Sequence, residues 1–263
     1  DPNPLYAKRV EETIGWILRE MRLPGGAFTA SLDADSEGVE GKFYVWSEDE
    51  INQILGADAE LFKKFYDVSA GGNWEGQNIL NRTASGLALA DDATEEKLAE
   101  LRAKLLTERA KRIRPGWDDK ALTDWNAMTI AAFAEAAMTF HRADWLDYAK
   151  LAYGFVINTL MKDDRFLHSY RDGRVQHAGM LEDYAHMIRA ALRLYECFGE
   201  DAYRRDAIAW SETVEDLLPT PRAAISSRRQ MPAIWWFVKS RSWIMPCRRA
   251  MRSWPKIWRS FMR

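Results

Sequence analysis

Two stretches of this chain repeat one pattern. "TDWNAMTIAAFAEAAMTFH" (123–141) and "MLEDYAHMIRAALRLYECFG" (180–199) both read as Ala-rich, mostly apolar helices. Each runs directly into a second helix, "ADWLDYAKLAYGFVINTL" (143–160) and "EDAYRRDAIAWSETVEDLL" (200–218). At an offset of 59, Asp124 meets Asp183, Trp125 meets Tyr184, Met128 meets Met187, Ala131 meets Ala190 and Ala132 meets Ala191, and at 58 Ala149 meets Ala207. A hairpin repeated at a fixed period cannot bury its apolar face alone. Such hairpins stack into a solenoid or a closed toroid. Their small Ala faces let neighbouring helices approach closely. The period is longer than that of tetratricopeptide or HEAT repeats and leaves room for a long loop at one end of each hairpin, where sites usually sit.

The remaining elements follow from spacing and punctuation. Residues 4–21 carry Leu5, Val10, Ile14, Ile17 and Leu18 at helical intervals, and "LPGG" stops them because Pro24 disfavours helix at Leu23. "KFYVW" (42–46) has strand composition. Ser47 with Glu50 three residues on predicts a capping box opening a helix that Gly56 ends. A charged helix runs from Thr94 to Arg112, and "RFLHSYRDGRV" reads as a hairpin turning at Asp172-Gly173. That makes about seven helices before Leu218. A hydrophobic content of 47% allows a sizeable core. No apolar run approaches the roughly 20 residues of a membrane span, and "DPNPLYAKRV" lacks the layout of a signal peptide. Cys197 and Cys247 give no disulfide framework, so a reducing, cytoplasmic setting is the expectation.

Three polar stretches are candidates for chemistry. "LDADSEGVEG" (32–41) begins like a calcium loop at Asp33, Asp35, Glu37 and Gly38, but its twelfth position is Tyr44, which cannot supply the bidentate carboxylate. Asp33 and Asp35 can instead act as paired carboxylates, or simply make a solvated turn with side chains bonded to main-chain amides. Tyr44, Trp46 and Trp74 beside such a loop suit a sugar, whose C–H face packs on a flat ring. Glu37, Glu75 and Asn78 supply polar groups there. "RPGWDDKALTDWN" (114–126) contributes Asp118 and Asp119 as catalytic candidates and Lys120, Trp125 and Asn126 as binding residues. Its plainer reading is an N-cap at Thr123 with Asp124 in the first helical turn. In "LEDYAH" (181–186), Asp183 and His186 share a helix face, so the carboxylate can orient the imidazole for proton transfer, flanked by Glu182 and Tyr184. His141, His168 and His177 form no metal spacing. With no CxxC, no phosphate-binding Gly loop and no GxSxG, neither metal nor cofactor is expected.

"GGAFTASLDADSEGVEGKFYVW", "GNWEGQNIL", "RPGWDDKALTDWNAM" and "LEDYAHMIRAALRLYE", in this order, resemble the thioredoxin-domain-containing family of bacterial YyaL and spermatogenesis-associated protein 20. The resemblance runs from about residue 1 to about residue 218. It implies a thioredoxin-like domain preceding this region in the parent protein, followed by an α/α toroid similar to six-hairpin glycosidases. A six-hairpin ring needs twelve helices, so the chain is expected to form a partial toroid with small β-hairpin insertions. The resemblance brings a fold and no reaction. Two functions stay open. One is a sugar-type pocket with proton-transfer chemistry in the parent. The other is a non-catalytic scaffold serving the thioredoxin-like domain in redox or protein quality control. Neither nucleic acid nor membrane is expected as a partner.

Residues 219–263 break the pattern. They hold 11 of the 37 Lys/Arg, none of the 39 Asp/Glu and five of the 12 Trp, without helical or strand period. The resemblance implies a different continuation here, and a reading frame shifted within residues 219–224 accounts for the change. GC-rich codons read out of frame yield Arg, Pro and Trp. A genuine basic, Trp-rich tail is the rival. Sequencing the DNA across codons 215–230 is expected to uncover an alternative open frame. Absence of such a frame would rule the shift out.

Overall fold

In a computed structural model, residues 4–83 and 89–217 are described; the readings made for residues 219–263 lie outside the described residues. The chain divides into two compact units. One combines the N-terminal residues up to Glu11 with Ser31–Asp118, and the other combines Glu12–Ala30 with the chain from Asp119 onward. Helix α1 (Pro4–Glu20) runs through the boundary at Glu11–Glu12.

In the first unit, β1 (Ser31–Leu32) is followed by β2 (Asp35–Ser36) and β3 (Val39–Glu40), which pair with each other. Glu37 and Gly38 both have positive φ and form the two-residue turn between them. Helix α2 (Glu48–Leu55) opens with the expected capping box: Ser47 Oγ accepts from the Glu50 amide, and the Ser47 amide donates to the Glu50 carboxylate. Helix α3 (Ala59–Tyr66), absent from the sequence reading, follows after one 3₁₀ turn, and α4 (Asp92–Arg109) completes the helices. Their core is Ile51, Leu55, Phe62, Tyr66, Leu98, Leu101 and Leu105. Strand β4 (Trp117–Asp118) pairs with β1.

"KFYVW" is not a strand. Tyr44 and Val45 donate back to the Gly41 carbonyl in a tight turn, and only Trp46 forms a bridge, to Asn78. The carbonyls that a neighbouring strand would satisfy are taken by one side chain instead. Arg112 Nη1 donates to the oxygens of Phe43 (3.1 Å) and Val45 (2.7 Å), while its guanidinium lies 4.0 Å from the Trp46 ring.

The second unit carries the repeat. Short β5 (Ala121–Leu122) leads into α5 (Thr123–Phe140) and α6 (Ala143–Thr159). Then come β6 (Met161–Lys162), β7 (Arg165–Arg171), β8 (Arg174–Ala178), α7 (Leu181–Phe198) and α8 (Asp201–Leu217). Helices recur 58 residues apart, from 123 to 181 and from 143 to 201, so the structural period is one residue shorter than the offset that best matches side chains. Helix α5 packs on α6 and α7, and α7 packs on α8. Helices α6 and α8 also touch: Tyr153 Oη donates to Asp206 Oδ2 at 2.7 Å, and its ring meets Tyr203 and Trp210. First helices thus form one layer and second helices the other, which is the arrangement of an α/α toroid, present here as two hairpins. Ala127, Ala131, Ala134, Ala137, Ala190 and Ala191 are fully buried between them. Strand β7 pairs with β5, β6 and β8, and the β7–β8 hairpin turns at Asp172-Gly173 as expected.

Two buried asparagines act as pieces of main chain. Asn126 accepts from the Phe28 amide (2.7 Å) and donates to the Phe28 and Leu122 carbonyls. Asn78 accepts from the Ser69 amide and donates to the Trp46 and Ser69 carbonyls. Replacing Asn126 by Ala leaves buried Phe28 groups without partners, at roughly 1–3 kcal/mol for each orphaned group. Urea unfolding should show a clearly lowered midpoint for Asn126→Ala. Thr107→Ala, at an exposed helix position, should stay within about 0.5 kcal/mol of wild type.

Candidate functional site

The centre of the second unit is the carboxylate of Asp183, which has no exposed surface. It sits at the third residue of α7 and accepts from the Met180 amide at 2.7 Å, closing the first turn of its own helix. Its other oxygen accepts from the Asp124 amide at 3.0 Å, so the same side chain also caps α5. The two aspartates matched by the repeat are therefore joined in space. Strand β7 supplies the third partner: His168 Nδ1 lies 3.0 and 3.1 Å from the two Asp183 oxygens. A carboxylate has no proton to give in its charged form, so Nδ1–H donates and the imidazole lone pair is left on Nε2.

Asp124, His168 and Asp183 place ligand-type atoms within 4.8 Å of one another, a grouping able to hold a cation. The geometry favours a hydrogen-bonded dyad instead. His168 Nδ1 and both Asp183 oxygens are engaged with each other and with main-chain amides, while Asp124 Oδ1 accepts from the Trp125 amide. Burial pushes the Asp183 carboxyl above the usual carboxylate range. Bonds from Met180 and His168 pull it down, the Asp124 charge pushes it up, and burial outweighs the bonds.

Other predicted residues are placed as follows. Asp183 does not pair with His186, because His168 takes that position; the Nδ1 of His186 is buried and has no hydrogen-bond partner among the described residues. Thr123 does not cap α5: the helix begins at Thr123 itself, whose hydroxyl donates to the Leu167 carbonyl at 2.6 Å. Asn78, Asn126 and Tyr184 spend their polar atoms on main chain, Tyr184 by accepting from the Phe166 amide, and Trp46 is buried under Arg112. These four build the fold and present nothing to a ligand. Trp125 and Glu182 are exposed in the first turns of α5 and α7. Asp119 pairs with Arg171 at 2.7 Å, and Lys120 is exposed beside the β7–β8 hairpin.

In the first unit, Asp33 and Asp35 are exposed, and Asp33 Oδ1 accepts from the Asp35 amide, as in the plain turn reading. Asp33 also lies beside Gly116, and Asp118 pairs with Ser31. The stretch 114–126 therefore divides. Its front joins the acidic loop, and its back joins Asp183. Glu37, Trp74 and Glu75 line a cleft described below, and Tyr44 is half-buried next to Phe43. His168 was missed. Its neighbours Leu167 and Ser169 mark no motif, and only the match of Asp124 with Asp183 hints that a third group is needed between two acidic helix starts.

No known family profile matches the chain. Among curated proteins it is 26% identical to human spermatogenesis-associated protein 20 over 254 residues, covering 81% of this chain. It is also 26% identical to the mouse protein over 259 residues and 28% identical to an uncharacterised Caenorhabditis elegans protein over 241. The chain is thus similar over most of its length to spermatogenesis-associated protein 20. It spans about a third of the length of these relatives. Among solved structures, a GH76 α-mannanase from Bacteroides thetaiotaomicron is 15% identical with a TM-score of 0.34, covering 79% of this chain and 69% of that one. Cellobiose 2-epimerase from Bacillus thermoamylovorans is 14% identical with a TM-score of 0.35, covering 78% and 53%. The fold assignment rests on the helix packing itself. Among the described residues, no helix is long and apolar enough to cross a membrane.

A carboxyl whose pKa is raised on folding contributes stability that is complete below its unfolded value and lost as pH rises through the folded one. Asp183→Asn also turns an NH₂ group toward an amide donor, so it should unfold at lower urea than wild type at pH 7. The gap should widen as pH falls from 7 toward 4, which parallel urea melts would measure.

Proposed function

We propose that the intact parent protein moves protons on a polyhydroxylated, sugar-type ligand, with His168 as the acid–base group and Asp183 as its positioning residue. The observation carrying this reading is the Nδ1–H bond from His168 to a buried carboxylate. It fixes the tautomer and the ring orientation and leaves Nε2 as the atom that takes or gives a proton. Trp125 follows Asp124 in the first turn of α5 and Glu182 precedes Asp183 in that of α7; both are exposed and suited to a sugar's C–H face and hydroxyls. Nε2 can then remove a proton from a hydroxyl, from water, or from a carbon next to the carbonyl of an open-chain sugar.

The second reading is a non-catalytic scaffold beside a thioredoxin-like domain. It is favoured by how completely Asp183 is used as a cap for two helices. The two readings part in one experiment. Full-length parent protein is incubated in D₂O with aldoses, ketoses and disaccharides, and NMR follows deuterium incorporation next to the carbonyl and release of reducing sugar. The acid–base reading expects one of these, reduced roughly 10²- to 10⁴-fold in His168→Gln. A folded wild-type protein that does neither with any sugar leaves the scaffold reading standing alone.

A further inference from the structure

The first unit contains a cleft of about 640 Å³, within the roughly 300–1,000 Å³ of small-molecule sites. One wall is the Trp74 indole. The rest of the lining comes chiefly from the β2–β3 hairpin and the chain just after α4, where Val39 and Ile113 stand 53% and 62% exposed. Trp74 is held in place. Its amide donates to the Gln77 carbonyl, and its ring lies against Gly41, where any Cβ would come within 2.9 Å of the indole. Gly41 also has φ +73, so the position suits glycine on both counts.

The charges decide what fits. Every cation lining the cleft is already paired: Lys42 with Glu37 at 2.8 Å, Arg112 with Glu50 at 3.0 Å and Lys111 with Glu108 at 2.7 Å. Glu40 and Glu75 are exposed and have no ion-pair partner among the described residues. The free groups are thus hydrogen-bond acceptors of negative charge, beside the Gln77 amide and an aromatic face. Phosphate-bearing ligands meet repulsion there. A neutral ring with hydroxyls to donate and an apolar C–H face meets partners on both sides.

We propose that this cleft binds a neutral hexose-type ring stacked on Trp74, with Glu40 and Glu75 accepting its hydroxyls. The proposal is independent of the His168–Asp183 reading. The test is titration of the full chain by calorimetry and saturation-transfer NMR with hexoses, N-acetylhexosamines and disaccharides, with AMP and spermidine as further probes. At least one neutral sugar is expected to bind. Affinity should fall about tenfold or more in Trp74→Ala. It should be largely kept in Trp74→Phe and reduced in Glu40→Gln. Trp74→Phe and Glu40→Gln keep the test decisive if Trp74→Ala misfolds. Failure of every neutral sugar to bind, binding of AMP or spermidine instead, or sugar binding lost in His168→Gln and retained in the Trp74 and Glu40 variants would overturn it.

Discussion

A carboxylate removed from water must find donors, and Asp183 finds three in three different elements. Its own helix contributes the Met180 amide, α5 contributes the Asp124 amide and β7 contributes the His168 ring. Each helix start carries amides that no intrahelical partner can satisfy, together with the positive end of the helix dipole. One negative side chain therefore satisfies two helices, but only while their starts lie side by side. Register between the hairpins follows from that, because sliding α7 along α5 by one turn would leave the charge buried and unpaired. Losing a partner of a buried charge is strongly destabilising, so the polar centre specifies the same packing that the Ala faces permit.

The Ala faces alone do not fix that register. Small residues allow close approach at several offsets, and the chain shows this ambiguity: side chains match best at 59 while the helices recur at 58. A shift of one residue rotates a helical position by about 100°. The aspartates that coincide at 59 consequently do different work. Asp183 points to buried donors, whereas Asp124 is half-buried and bonds the next amide along. Repetition supplied two equivalent carboxylates, and the small phase difference between the copies gave them unequal surroundings.

What was legible in the residues follows the range of the interactions. Ser47 with Glu50, the Asp172-Gly173 turn and the alanine-lined helices are local or periodic, and each stands where the spacing puts it. The errors are non-local. "KFYVW" has the composition of a strand, yet an arginine almost seventy residues away takes its carbonyls. Asn78 and Asn126 look like ligand-binding residues because they are polar and close in sequence to Trp74 and Trp125, and both are consumed by main-chain groups. His168 sits in a strand of unremarkable composition, and its partner lies 15 residues on in another element. Missing α3 has a local reason. "AELFKKFY" is eight residues long, too short to show a clear helical period.

The Glu-Gly turns show a related limit and bear on the cleft. Two-residue hairpin turns of this type require positive φ at the first central position, where Asn, Asp or Gly is the usual choice. Glu37 and Glu75 both adopt it, at φ 55 and 46, each before a glycine. A longer side chain gains nothing from that conformation, and local strain persists only where the surrounding structure over-determines it. Both turns lie on the rim of the same cleft. Asn would relax the backbone at either position and would remove a carboxylate from the rim. Glu37 spends its carboxylate on Lys42 at 2.8 Å, whereas Glu75 has no ion-pair partner among the described residues, so of the two turns the second leaves a charged acceptor on the rim.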